Sequence, residues 1–202
     1  MSHYKDQILA CDFFTIETLF LKTFYVLFFI ELGSRRVHFA GCTRHPNATW
    51  VTQQARQVIW ELQEREPIIR FLIRDNDQKF TQSSDSVFQS EGIRVITTPF
   101  QAPNANAHAE RWVRSVREEC LDKILIINQP HLHRTMREYI QYYNHKRLHS
   151  AIFYVTPFDK MTGRDVEILK TREEKLAKAR ELRVKYNTKS TLTQHTVLSD
   201  SR

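Results

Sequence analysis

Apolar residues fall along this chain in two distinct rhythms. Near the N-terminus "QILACDFFTIE", "FYVLFFIEL" and "RRVHFAGCTR" are short runs rich in Phe, Val and Ile, separated by "LFLKT" and "GSRR". That punctuation predicts three consecutive antiparallel strands. In "PNATWVTQQARQVIWELQE" the period changes: Asn47 stands where a cap belongs, and Val51, Ala55, Val58, Ile59 and Leu62 recur at helical spacing. Next come "IIRFLIRD", a continuous apolar run ending in an acid, "SSDSVFQSEG", a short helix stopped by Gly92, and "IRVITTPF", a strand halted by Pro99. Strands alternating with helices predict parallel pairing, so the pattern is that of an α/β domain.

The polar loop "QAPNANAH" leads into a helix expected from about His108 to Ile126, and "QPHLHRTMREYIQYYNHKRLH" predicts another, with Pro157 closing the compact part. Trp50, Trp60 and Trp112 fall on apolar stripes and are expected in the core. The predicted organisation is a core over 1–157, a basic helical extension over 158–186 and a disordered polar tail over 187–202. Within the extension, "TREEKLAKARELRVKY" opens with the capping-box pair Thr171 and Glu174.

Composition narrows the function. A chain of 202 residues, 41% hydrophobic, holds one complete core but hardly two. Its net charge of +7 is concentrated, since residues 111–189 alone carry net +8. That balance favours a polyanionic partner. Cys11, Cys42 and Cys120 are odd in number and form no CxxC pair, which supports neither a disulfide framework nor a zinc knuckle. The longest apolar run, Phe24 to Ile30, is too short to cross a membrane. With no basic-then-apolar leader, the expected setting is soluble and cytoplasmic.

Acids at the ends of apolar strands carry the chemical signal, because a carboxylate near a core must be paired or bound to metal. Asp12 in "LACDFF" and Asp75 in "FLIRDND" are two such acids. Taken singly, each is more simply an ordinary strand-end Asp. The helix "NAHAERWVRSVREECLD" adds three glutamates, and its apolar stripe of Ala109, Val113, Val116 and Cys120 sets the inward direction. Glu118 points away from that stripe and Glu119 lies on one flank. Glu110 lies on the other flank at the first turn, with Arg114 and Arg117 beside it at helical spacings. A surface ion-pair role for that trio is the competing reading.

Asp12, Asp75, Glu110 placed 35 positions after Asp75, and "YNHKRLH" further on together resemble the DDE catalytic core of retroviral-type integrases and bacterial insertion-sequence transposases. The resemblance runs from about Gln7 to Pro157. It implies a ribonuclease H-like fold, a five-stranded mixed sheet flanked by helices whose first three strands form a meander. It implies that Asp12, Asp75 and Glu110 are the catalytic residues and hold Mg²⁺, with Mn²⁺ able to substitute, as a pair of ions. The function implied is metal-dependent polynucleotidyl transfer: DNA strand transfer for a transposable element, by a homo-oligomer acting at a bacterial nucleoid. Arg111, Arg114, Arg117, Lys146, Arg147 and His149 are the expected phosphate-facing residues. Asn104, Asn106 and His108 either touch a phosphate or merely form a turn.

Several positions depart from the family pattern. Asp77 stands where many relatives have Gly, Leu148 replaces the usual Pro before His149, and "HSAIFYVTP" lacks the customary Gly. The few residues before the first strand leave no room for a helix-turn-helix, so a separate end-recognition domain or protein is expected. Two other readings stay open: a non-catalytic DNA-binding or assembly module from a truncated transposase, and a plain ribonuclease H-like nuclease.

Overall fold

The computed structural model describes the backbone of residues 2–63, 68–98 and 107–199, and the side chains of 4–63, 68–98 and 107–187. The chain divides into a unit of residues 1–161 and a second of 162–202. In the first unit, β1 (Ile8–Glu17), β2 (Thr23–Glu31) and β3 (Val37–Thr43) form the expected meander. Then follow α1 (Ala48–Leu62), β4 (Phe71–Arg74), α2 (Gln82–Ser90), β5 (Arg94–Thr97), α3 (Ala107–Glu119), α4 (Gln129–His145) and α5 (Pro157–Met161). The sheet order is β3-β2-β1-β4-β5, with β4 parallel to both β1 and β5.

Alternation along the strands builds two apolar layers. Ala10, Phe14, Val26 and Phe28 face α3 and α4, where Trp112, Val116, Leu132, Met136 and Tyr143 close the layer. Leu9, Cys11, Leu27 and Phe29 face the other way, against Val51, Ala55, Val58 and Ile59 of α1 and Phe88 of α2. Covered on both faces, the second half of β2 reads as a continuous apolar run instead of an alternating one. The Asn47 cap forms as expected, its Oδ1 accepting from Trp50 N at 2.9 Å. Gly92, at φ +74, supplies the left-handed residue that ends α2.

Three expectations need correcting. Trp60 is 77% exposed: it follows Ile59 by one position, which turns it about 100° off the buried stripe. α3 stops at Glu119 rather than Ile126, because Cys120 leaves helical angles and Leu121–Lys123 continues as a 3₁₀ turn. The chain beyond is engaged elsewhere, the Ile126 carbonyl accepting from Leu19 N at 2.7 Å. In the second unit, α6 spans Asp165–Ser199, so Thr171 and Glu174 lie inside the helix and not at its start. No helix among the described residues is long and apolar enough to cross a membrane.

Candidate active site

Asp12 sits within β1 opposite Phe28. By alternation it shares the face of Ala10 and Phe14, the face that α3 covers. Its Oδ1 accepts from Phe13 N at 2.7 Å. Burial, then the charges of Asp75, Glu110 and Asp77, push its carboxyl up to about 7. The three acids separated by 63 and 35 positions in the chain are therefore within electrostatic reach of one another.

Asp75 follows β4, and two successive side-chain turns shape the loop after it. Asp75 Oδ1 accepts from Asp77 N at 3.2 Å, and Asp77 Oδ1 accepts from Lys79 N at 2.9 Å. Asp77 thus closes a turn of its own, and its other oxygen pairs with Lys79 Nζ at 2.5 Å. Lys79 lies 5.5 Å over the Phe13 ring and 5.2 Å over the Tyr25 ring. Burial raises the Asp75 carboxyl, opposed in part by Lys79 and Arg74. Arg74 is buried, forks onto Asp85 at 3.0 and 2.7 Å, and donates to the Asp75 carbonyl at 2.8 Å. That pair fixes the backbone from which Asp75 projects.

Glu110 is exposed on the first turn of α3 and has no ion pair among the described residues. Arg117, expected beside it, instead donates to the Thr15 carbonyl at 2.7 Å and lies over Phe14. Arg111 and Arg114 are exposed, as is Lys146. Among the described residues, no three or more Asp, Glu, His or Cys side chains close into a ready-made cation cage. The donor chemistry is all oxygen, which suits a hard cation such as Mg²⁺ that keeps several waters and takes a few carboxylates plus substrate phosphates.

Two more of the expected phosphate-facing residues have other occupations. Arg147 forks onto Glu119 at 2.5 to 3.0 Å and lies 5.5 Å from the Tyr143 ring. Glu119 also accepts from Tyr139 Oη at 3.0 Å, so it ties α3 to the end of α4. His149 is 7% exposed and packs 4.4 Å from Tyr143. Burial and the neighbouring Arg147 drop its imidazole to about 4, so it is a neutral wall residue rather than a cation. Past it, two bulky residues stand in the left-handed region, Phe153 at φ 62 and Tyr154 at φ 58. Asn104 and Asn106 lie outside the described residues.

Sequence reasoning missed Arg74 with Asp85, Lys79, and Arg35 in the β2–β3 turn. Arg35 Nη1 meets His108 Nδ1 at 2.5 Å, two residues before Glu110. Only the carboxylate-turn pattern "DND" gave any signal of the Asp77–Lys79 arrangement.

A five-stranded mixed sheet with helices on both faces, its first three strands a meander and its acids gathered from β1, β4 and α3, defines a ribonuclease H-like domain. Within that class, the family model "integrase core domain" matches residues 91–157, the stretch from the end of α2 through Glu110 to Pro157. No curated protein matches. Solved structures with this fold include a chain of the simian T-cell lymphotropic virus intasome in complex with PP2A regulatory subunit B56 gamma, at TM-score 0.64 and 13% identity over 77% of this chain. The match spans 54% of that viral chain, about half its length. The HTLV-2 integrase catalytic core domain in complex with magnesium, in a trimeric form, aligns at TM-score 0.60 and 14% identity, covering 77% of this chain and 96% of that one. The BIV integrase catalytic core aligns at 0.54 and 17%, covering 81% and 99%.

Proposed function

We propose that this chain is a metal-dependent polynucleotidyl transferase that joins the DNA ends of a transposable element to a target, acting at the nucleoid of a bacterial cell. Asp12, Asp75 and Glu110 are its catalytic residues and would hold Mg²⁺, or Mn²⁺ in its place, as a pair of ions. The observation that carries this reading is the placing of Asp12 on the α3 face of β1, half-buried, with Asp75 and Glu110 close enough to oppose its ionisation. A fold gains nothing from such mutual repulsion unless a cation relieves it.

Bound there, the ions supply charge stabilisation to the attacking and leaving oxygens of an in-line displacement at phosphorus. The Arg74–Asp85 pair holds the Asp75 backbone, so that one carboxylate approaches from a fixed direction. The nucleophile is water when an element end is nicked and the resulting 3′-hydroxyl when it is joined, so no side chain need form a covalent intermediate. Arg111, Arg114 and Lys146 face solvent and are the proposed phosphate contacts. Homo-oligomerisation and a separate end-recognition domain or protein complete the proposal. The trimeric HTLV-2 core with magnesium is the comparison that favours both metal and assembly.

The test is strand transfer of a pre-nicked end carrying a free 3′-hydroxyl, in Mn²⁺, with any end-binding partner added. Glu110→Gln, nearly isosteric, is expected to lower joining by roughly two orders of magnitude or more while leaving the melting temperature unchanged. Glu118→Gln, on the exposed side of the same helix, is expected to join normally. Equal joining by Glu110→Gln would remove Glu110 from the site. An unmodified chain that binds metal and DNA yet joins nothing would make the non-catalytic assembly module the better reading.

A further inference from the structure

The turn between β2 and β3, read in the sequence only as the polar break "GSRR", places a second feature beside the acids. Arg35 stands there at φ 68, a left-handed conformation that a long side chain adopts only at a cost. The turn is braced from within. Glu31, fully buried at the end of β2, accepts from Ser34 Oγ at 2.5 Å and meets His38 Nε2 at 2.9 Å, and Arg35 N donates back to the Glu31 carbonyl at 3.0 Å. Gly33 lets the N-terminal 3₁₀ segment lie against the turn, since an added Cβ would come within 2.8 Å of Asp6 Cα. That close approach brings Lys5 to the same corner.

The guanidinium held by this turn has no anionic partner among the described residues. Arg has five N–H donors, and among the described residues the side chain's one polar contact is His108 Nδ1, while its Nε is buried with no partner. An imidazole nitrogen accepting from a guanidinium brings no counter-charge. Arg111 follows His108 by one turn along α3, and Lys5 belongs to the 3₁₀ segment that packs against the turn. No carboxylate among the described residues pairs with any of the three. Three cations converge at the positive end of a 13-residue helix, with Glu110 on its first turn.

Resting on the function proposed above, we infer that Arg35, with Arg111 and Lys5, forms a preorganised seat for a phosphate oxyanion of the DNA backbone adjacent to Glu110. A planar guanidinium with free donors suits two phosphate oxygens at once. The strained turn fixes its direction before DNA arrives. Seated there, a backbone phosphate sets how the strand runs past the acids.

The experiment uses the full chain and a fluorescein-labelled 30-base-pair duplex of random sequence, followed by anisotropy across a salt series, with a thermal melt of each variant. Arg35→Gly removes both the guanidinium and the strain. It is expected to keep or raise the melting temperature while weakening duplex binding roughly threefold to tenfold and lowering the salt slope by about one. Arg35→Lys keeps a charge and is expected to keep most of the slope. A purely structural arginine would instead lower the melting temperature and leave the slope intact.

Inorganic phosphate supplies the second arm, read as a melting shift in the absence of DNA. If the unmodified chain ignores the duplex but phosphate stabilises it through Arg35, the oxyanion seat stands and the strand-transfer reading falls. If folded Arg35→Gly matches the unmodified chain in both duplex binding and phosphate response, the seat is overturned.

Discussion

A carboxyl that keeps its proton up to about pH 7 in the folded chain is a burden on stability whenever no cation is bound. In the unfolded chain Asp12 loses that proton near its ordinary value of about 3.9. Between those two values the folded state binds more protons, so stability falls as pH rises from about 4 to about 7 and then levels off. A shift of that size corresponds to at most roughly 4 kcal/mol, less whatever solvent screens at a partly open site. Asp12→Asn is therefore expected to raise the melting temperature at pH 8 in a metal chelator, to flatten its pH dependence, and to lack the further rise with Mn²⁺ that the proposed site predicts for the unmodified chain. A lower melting temperature for Asp12→Asn at pH 8 would contradict the half-buried, repelled carboxyl. Asp12 was legible in the sequence because an acid inside "LACDFF" interrupts an apolar strand. Arg35 was not, since a charge in a short polar turn looks the same whether it meets water or a waiting phosphate. Arg147 and His149 looked like solvent-facing cations for the same reason: what buries them is Glu119, 28 positions back from Arg147, and the Tyr143 ring.

The helices and strands contribute something single residues cannot: the direction from which each acid arrives. β4 is four residues long and ends at Arg74, so Asp75 depends on the fork that anchors Arg74 to Asp85 in α2. Removing one partner of a buried pair strands the other charge. Asp85→Ala is expected to cost about 3–5 kcal/mol by chemical denaturation and to weaken the Mn²⁺ response, because the Asp75 backbone loses its anchor. A loss below about 1 kcal/mol would mean that Arg74 finds water instead. The succession of strands and helices was legible from period and capping residues, as the Asn47 cap illustrates, whereas the Asn128 cap of α4 was not read from the sequence. The end of α3 was not. "KILIIN" has no local stop signal, and the chain there is engaged by the distant β1–β2 turn, whose Leu19 N donates to the Ile126 carbonyl. Trp60 escaped for a related reason: next to a strong stripe, a large apolar residue is easily assigned to it by type rather than by angle.

At the scale of the whole molecule, the sheet order decides when the domain becomes a domain. β1, β2 and β3 meet through short turns, whereas β1 finds β4 only after some 60 positions and α3 only after about 100. Local pairings close quickly and distant ones late. As the chain leaves the ribosome, the meander is thus complete while both layers that will cover it are still unmade. Phe14 and Phe28 on one side and Leu27 and Phe29 on the other then face water together. The doubly covered β2 that makes a firm floor for Asp12 is, for that interval, a sticky ribbon with two apolar faces. A fragment ending at Thr43 is expected to be insoluble when expressed alone, and one ending at Met161 to be soluble and to melt cooperatively, as sedimentation and calorimetry would register. Ten-residue β1, where the first candidate acid resides, therefore waits longest for its last partners and is the strand most exposed to wrong ones.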